Sequence, residues 1–361
     1  MYSFKIIDSK LVDWKNIENT YDSTCFHSQS WCKYLERIGC KVLIIEITKD
    51  KKLQGYFIGE KRGLGCQFVM APQESVGTYT QGLCMLEPIS KIERVDLYKN
   101  IAKFLFSHCN VLLLTVDDWQ LKRTYDEWIP NDQFHHEVIE QFKLDYTVRP
   151  TLYVPVNTSE EVMWANLHYK SCKYSVNKAR KLNLRVKEIT DFDEIQDFTK
   201  IHYKQLTEVC AKQGMRPNPS QKEYRMRALC ESLFPNRVIM LEVIGNDDDG
   251  NEQIMSTGIF CIDKGQCSYW TGASYQRYQK YCPNELMVWE AMRLLNQRGG
   301  GELNFCGMAS YKLKFGTKYA YIPRIYIAKY PIFINIIPTL KKAYYAIRRT
   351  IAKIVGKKSF K

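Results

Sequence analysis

At 361 residues, 45% hydrophobic and 25% charged, the chain has the composition of a globular protein with enough apolar surface for a sizeable core. Its formal net charge is +13, but eight cations fall in residues 331–361 without an acid, which leaves +5 for residues 1–330 and argues against an extensive RNA-binding surface there. Thirteen cysteines, an odd number with no C-x-x-C pair and no leader-like residues 1–15, exclude a disulfide framework and paired zinc ligands and point to reduced thiols in the cytosol.

The first half alternates helix and strand signals. A helix is expected over 30–39, closed by Gly39, followed by a strand over 41–47 and a hairpin through TKDKKLQG. Residues 91–108 carry apolar residues at helical spacing, and NVLLLTVD is a buried strand, too short to span a bilayer. RPTLYVPV (149–156) is extended. Thr158 or Ser159 then caps a helix running through residue 182, with acids in its first turn.

In the second half, LRVKEI is a strand, residues 191–214 form a long helix, and 221–233 a short one. Strands follow at 237–244, 253–262 and 266–274, the first two joined by the acidic turn GNDDDGNE. A helix at 284–299, a strand at 302–308 and a strand pair around YAYIPRIYIAKY complete it. The pattern predicts two α+β halves that meet near 150–160: a domain over 1–155, a second over 156–330, and a tail over 331–361.

Two stretches stand out on charge. Between Tyr169 and Val186 there are six cations and no acid, and on a helical wheel Lys170, Lys173, Asn177 and Arg180 share one stripe beside an apolar face. Such a stripe is either a solvated helix face or a clamp for phosphates, the acceptor stem of a tRNA included. In the tail, Leu340, Ala343, Tyr344, Ile347, Ile351, Ile354 and Val355 line one face of a wheel, with Lys341, Lys342, Arg348, Arg349 and Lys353 opposite. That is the pattern of a basic amphipathic helix lying on an anionic membrane surface, the alternative being a helix docked on the body of the protein.

The second-half pieces taken together resemble the FemAB-like branch of the GNAT acyltransferase superfamily. The residues concerned are the helix with Trp164, Leu167, Lys170 and Ala179; PNELMVWE, a proline-led helix with Trp289 and Glu290; and YKLKFG, with Tyr311, Lys312, Phe315 and Gly316. SWCKYL after Trp14 and the PTLYVPV junction also match, so the resemblance covers nearly all of residues 1–330. It implies an α+β chain of two tandem GNAT-like domains, mixed sheets flanked by helices, that transfers an acyl or aminoacyl group to an amine of a peptidoglycan or polysaccharide precursor. One departure from the family is that YQRYQKYCPNEL replaces the glycine-rich turn that holds the pyrophosphate of CoA. The helix N-terminus at Asn284–Leu286 still offers N–H groups to an anion.

Under the resemblance the catalytic candidates are Tyr269 on a splayed strand, Glu290 as base with Glu285 as the alternative, and Tyr311 as the acid that protonates the leaving group. Lys170, Lys173, Arg180, Asn284, Glu285 and Lys312 are the candidates for holding the donor. The donor is acyl-CoA, acetyl-CoA for example, or aminoacyl-tRNA, the smaller thioester being preferred; no metal is expected. The acceptor would be lipid-linked or sugar-linked, and the enzyme would sit at the inner face of the membrane. The rival reading is a non-catalytic nucleic-acid-binding or scaffold protein that uses its basic tail.

Overall fold

The computed structural model describes residues 2–20, 22–62, 67–71, 82–218 and 221–332, with positions 334, 336, 339 and 347. The predicted tail helix, with Lys341, Lys342, Arg348, Arg349 and Lys353, therefore lies outside the described residues. Strands β1 (Tyr2–Ile7), β2 (Lys41–Lys49), β3 (Lys52–Arg62), β4 (Gln67–Ala71), β5 (Leu83–Met85), β6 (Val111–Asp117), β7 (Arg123–Tyr125) and β8 (Asp145–Pro155) come from the first half. Strands β9 (Arg185–Glu188), β10 (Val238–Asn246), β11 (Glu252–Cys261), β12 (Gln266–Ser274), β13 (Glu302–Asn304) and β14 (Lys318–Ala328) come from the second. The helices are α1 (Trp14–Ile17), α2 (Gln29–Arg37), α3 (Lys91–His108), α4 (Glu137–Gln141), α5 (Glu160–Asn166), α6 (Tyr174–Lys181), α7 (Ile195–Lys212), α8 (Glu223–Leu233) and α9 (Pro283–Gln297).

All the described strands belong to one mixed sheet with helices on its faces, in the order β1-β2-β3-β4-β6-β14-β8-β13-β12-β11-β10-β9, with β5 beside β3 and β7 beside β14. A repeat is visible in this order. Strands β1 to β4 are antiparallel neighbours, α3 crosses over, and β6 pairs with β4 in parallel. Strands β9 to β12, α9 and β13 do the same. The last strand of each repeat is then exchanged: β8 pairs with β13, β14 pairs with β6, and the two exchanged strands pair with each other over nine residues. Residue 155, the expected end of the first domain, closes β8, so that strand sits inside the second repeat. The strand pair expected around 319–330 is one strand, β14, whose partners β6 and β8 lie far back in the sequence.

Local chemistry explains the boundaries. Ser28, Ser90 and Ser159 each accept an N–H of the first turn of α2, α3 and α5. β10 is buried over Val238–Gly245 because helices cover both of its faces, which accounts for its unbroken apolar run. Helix α2, from the other half, joins the cluster on one of those faces by packing on α8. Its Trp31 packs edge-on to Trp270 of β12 at 5.8 Å, with Phe26 tilted against the same ring, in a cluster with Phe198 of α7 and Leu229 of α8.

The helix expected over 158–182 is broken. It stops at Asn166, His168 is extended, and a single π-turn (Tyr169–Lys173) precedes α6. The break has a partner: the His168 N–H donates to the Lys314 carbonyl at 2.9 Å, and Gly316 lies so close to the Asn166 backbone that a Cβ there would clash. Tertiary docking of the 310–316 turn overrides helix propensity here.

α7 is fastened to the sheet by His202, which is fully buried with Nδ1 at 2.8 Å from Thr257 Oγ1 and Nε2 at 3.3 Å from Thr271 Oγ1. Burial disfavours the charged ring and lowers its pKa from 6.5 to about 4. The unfolded chain therefore binds the proton first, so the stability that depends on neutral His202 is complete above pH 6.5 and is lost as the pH falls toward 4. In urea titrations, the wild type should lose about 3 kcal/mol more than His202→Gln between pH 7 and pH 4.

Candidate active site

The site begins with a defect in the sheet. β12 and β13 are paired over only three residues, Gln266↔Glu302 to Ser268↔Asn304. Beyond them the strands part, because Phe305 turns to bond Leu152 and the chain then bends away through Cys306 (φ 54) and Gly307 (φ 141). On its other edge β12 carries a bulge: Ile259 faces Thr271 and Phe260 faces Tyr269, which leaves Trp270 without an opposite residue. The bulge and the pleat send Tyr269 to the α9 side and Trp270 into the α2–α7–α8 core.

A cavity of about 310 Å3 occupies the gap. Its walls are the free end of β12 (Tyr269, Gly272, Ser274), the first turn of α9 (Asn284, Glu285) and the 3-10 turn Ser310–Phe315, which brings Tyr311 and Lys314. Tyr269 is stacked on Phe260 at 4.8 Å and meets Phe305 edge-on at 5.9 Å, so its ring is held in place. Its hydroxyl passes over Gly272, where any Cβ would overlap it, and lies near the hydroxyl of Tyr311. Burial and the neighbouring phenol push the Tyr269 pKa well above 10. Burial pushes Tyr311 up to about 12, although 48% of the residue is exposed: its ring borders the cavity mouth while its hydroxyl points inward. Both phenols stay protonated at neutral pH.

The α9 N-terminus is built without glycine. Cys282 takes the left-handed conformation (φ 61) and Pro283 opens the helix, and no side chain caps it. Its first-turn N–H groups are thus left for an anion. The segment before it is pinned by stacking of Arg277 on Tyr275 and Tyr278 and by ion pairing of Lys280 with Asp248. Asn284 donates to Ser274 Oγ at 2.9 Å, tying the helix to the end of β12.

Of the residues singled out in the sequence, Tyr269, Tyr311, Asn284 and Glu285 converge on the cavity. Glu290 does not line it: its two oxygens are bonded to Arg180 (3.1 Å) and Arg293 (2.6 Å). Arg180 also stacks on Trp164, and Lys173 donates to the Ala165 carbonyl, while Lys170 is exposed; the π-turn breaks the stripe that a uniform helix would present. Lys312 is buried, donating to the Phe305 carbonyl at 2.7 Å, and burial lowers its pKa. The lysine in the cavity is Lys314, paired with Glu285, which sequence reasoning passed over. Gly272 and Ser274 were missed as well, though both lie in the strand expected over 266–274.

In the comparisons, residues 168–314 match the family model of the acetyltransferase (GNAT) domain. A search of curated proteins finds no match. The crystal structure of FemX is similar to this chain with a TM-score of 0.66 and 10% identity, over 90% of this chain and 97% of that one. A protein of unknown function from Bacteroides thetaiotaomicron superposes with a TM-score of 0.52 at 10% identity, over 90% of this chain and all of the other. The splayed strands, the crossover helix and the exchanged final strands thus give the chain a fold similar to that of FemX, and it carries a GNAT-type acetyltransferase domain at residues 168–314.

Proposed function

We propose that the cavity at the β12–β13 gap transfers an acyl or aminoacyl group to an amine of a peptidoglycan or polysaccharide precursor. The observation that carries this reading is the hydroxyl pair of Tyr269 and Tyr311 set opposite the unpaired edge of a bulged strand. Backbone N–H groups along that edge would hold the acyl carbonyl and the negative charge that develops on it. Tyr311 stays protonated at neutral pH beside Tyr269, so it would supply the proton to the departing group. The donor favoured is acyl-CoA, with its phosphates toward the uncapped turn of α9. Aminoacyl-tRNA is the second reading, supported by the exposed cations Lys170 and Arg180, although Arg180 is shared with Glu290.

The acceptor would be lipid-linked or sugar-linked, and the amphipathic pattern of residues 331–361 would bring the enzyme to the inner face of the membrane. Among the described residues no helix is long and apolar enough to cross a membrane.

Mass spectrometry of ligands that co-purify with the protein should reveal a thioester donor, and a charged tRNA in its place would favour the second reading. Tyr311→Phe should lower turnover about 100-fold with donor affinity unchanged, and full activity would remove the assignment. Gly272→Ala should displace the Tyr269 hydroxyl and cost roughly 1–3 kcal/mol in thermal unfolding, with turnover falling alongside. Full-length protein should float with anionic vesicles, and protein truncated after Tyr330 should not; equal flotation would exclude the tail as the membrane contact.

A further inference from the structure

We propose that Glu285 is the base that takes the proton from the incoming amine and that Lys314 is its positioning residue, an inference that rests on the acyl-transfer reading above. An amine acceptor reaches neutral solution mostly as an ammonium ion, and the lone pair it needs for attack is freed only when a proton leaves. Among the described residues that line the cavity, Glu285 is the single carboxylate and there is no histidine.

Its surroundings suit that task. Glu285 is the third residue of α9, with a side chain 17% exposed. Lys314 Nζ binds Oε1, and Oε2 has no hydrogen-bond partner among the described residues. One oxygen is therefore anchored and the other is available to an ammonium in the cavity. The carboxylate is near enough to both phenols to oppose their ionisation, so it shares the space in which the acyl carbon would lie. Lys314 is itself fixed, since its carbonyl accepts the His168 N–H. Glu290, by contrast, has both oxygens engaged.

The step balances. The ammonium N–H breaks and its proton passes to Glu285. The freed lone pair forms the C–N bond, and the carbonyl π pair moves to oxygen. That pair then returns, the bond to the leaving group breaks, and the leaving group takes the Tyr311 proton. The second proton on nitrogen restores Tyr311, and the proton on Glu285 goes to water.

The test compares two kinds of acceptor, with acetyl-CoA and a mixture of aminoacyl-tRNAs as donors. One kind is primary amines protonated at pH 7 (glucosamine, glycinamide, ethanolamine); the other is hydroxylamine, which is already unprotonated. Glu285→Gln should lose about 100-fold in kcat/KM with the amines and little with hydroxylamine. Lys314→Met should lower kcat with the amines more than it raises KM, and Lys314→Arg should restore kcat. Equal losses with both acceptors, or amine transfer within threefold of wild type, would overturn the assignment. Wild-type protein that transfers from neither donor to any acceptor would instead sink the acyl-transfer reading beneath it. Circular dichroism of each variant separates these outcomes from misfolding, and a Glu285→Asp variant stands in if Glu285→Gln fails to fold.

Discussion

Everything at the site follows from how early β12 and β13 stop pairing. Their divergence is enforced by a buried polar hub just past the last pair. Asn304 Oδ1 accepts both the Thr151 hydroxyl and the Cys306 N–H at 2.8 Å, and Thr151 Oγ1 in turn accepts the Gly307 N–H at 2.9 Å. These bonds satisfy the backbone of a turn that would otherwise bury unpaired donors, and they commit the chain to leave the sheet at that residue. A β13 longer by three residues would close the gap, and Tyr269 would face a neighbouring strand in place of a cavity.

The first repeat treats the equivalent junction differently. There the first turn of α3 meets the residue after β6 through charge: Arg94 lies between Asp118 (2.6 Å) and Asp22 (2.7 Å), with Tyr98 also on Asp118 and all four buried. In the second repeat α9 meets the turn after β13 across an open space lined by hydroxyls and one ion pair. The same topology thus yields a packed ionic plug in one repeat and a cleft in the other. The first repeat nevertheless contributes to the cleft by lending α2 behind Trp270 and β8 beside β13.

Much of this was legible in the amino acids. The apolar periods of 41–47, 91–108, 237–244 and 284–299, the cap at Ser159 and the acidic hairpin turn mark their elements because local preference and tertiary role agree there. The family resemblance rested on short motifs, and two of them, PNELMVWE and YKLKFG, meet at one cavity with the strand expected over 266–274. What stayed hidden depends on contacts distant in sequence. Nothing within 158–182 announces the break at His168, since its partner is Lys314. Likewise nothing in YKLKFG says which lysine faces inward: Lys312 and Lys314 lie two apart on a 3-10 turn and end up buried against a carbonyl and open to the cleft, respectively. Glu290 looked suited to be a base until the arginines on either side were located in space.

The exchange of β8 and β14 also governs the order in which a ribosome can finish the molecule. When residue 155 has been made, the first repeat still offers the bare edge of β6, because the strand that covers it, Arg324–Ala328, begins 169 residues later. The nascent chain must shelter a sticky margin through most of its production. Neither repeat can therefore mature by itself, and the last-made strand closes both at a single stroke.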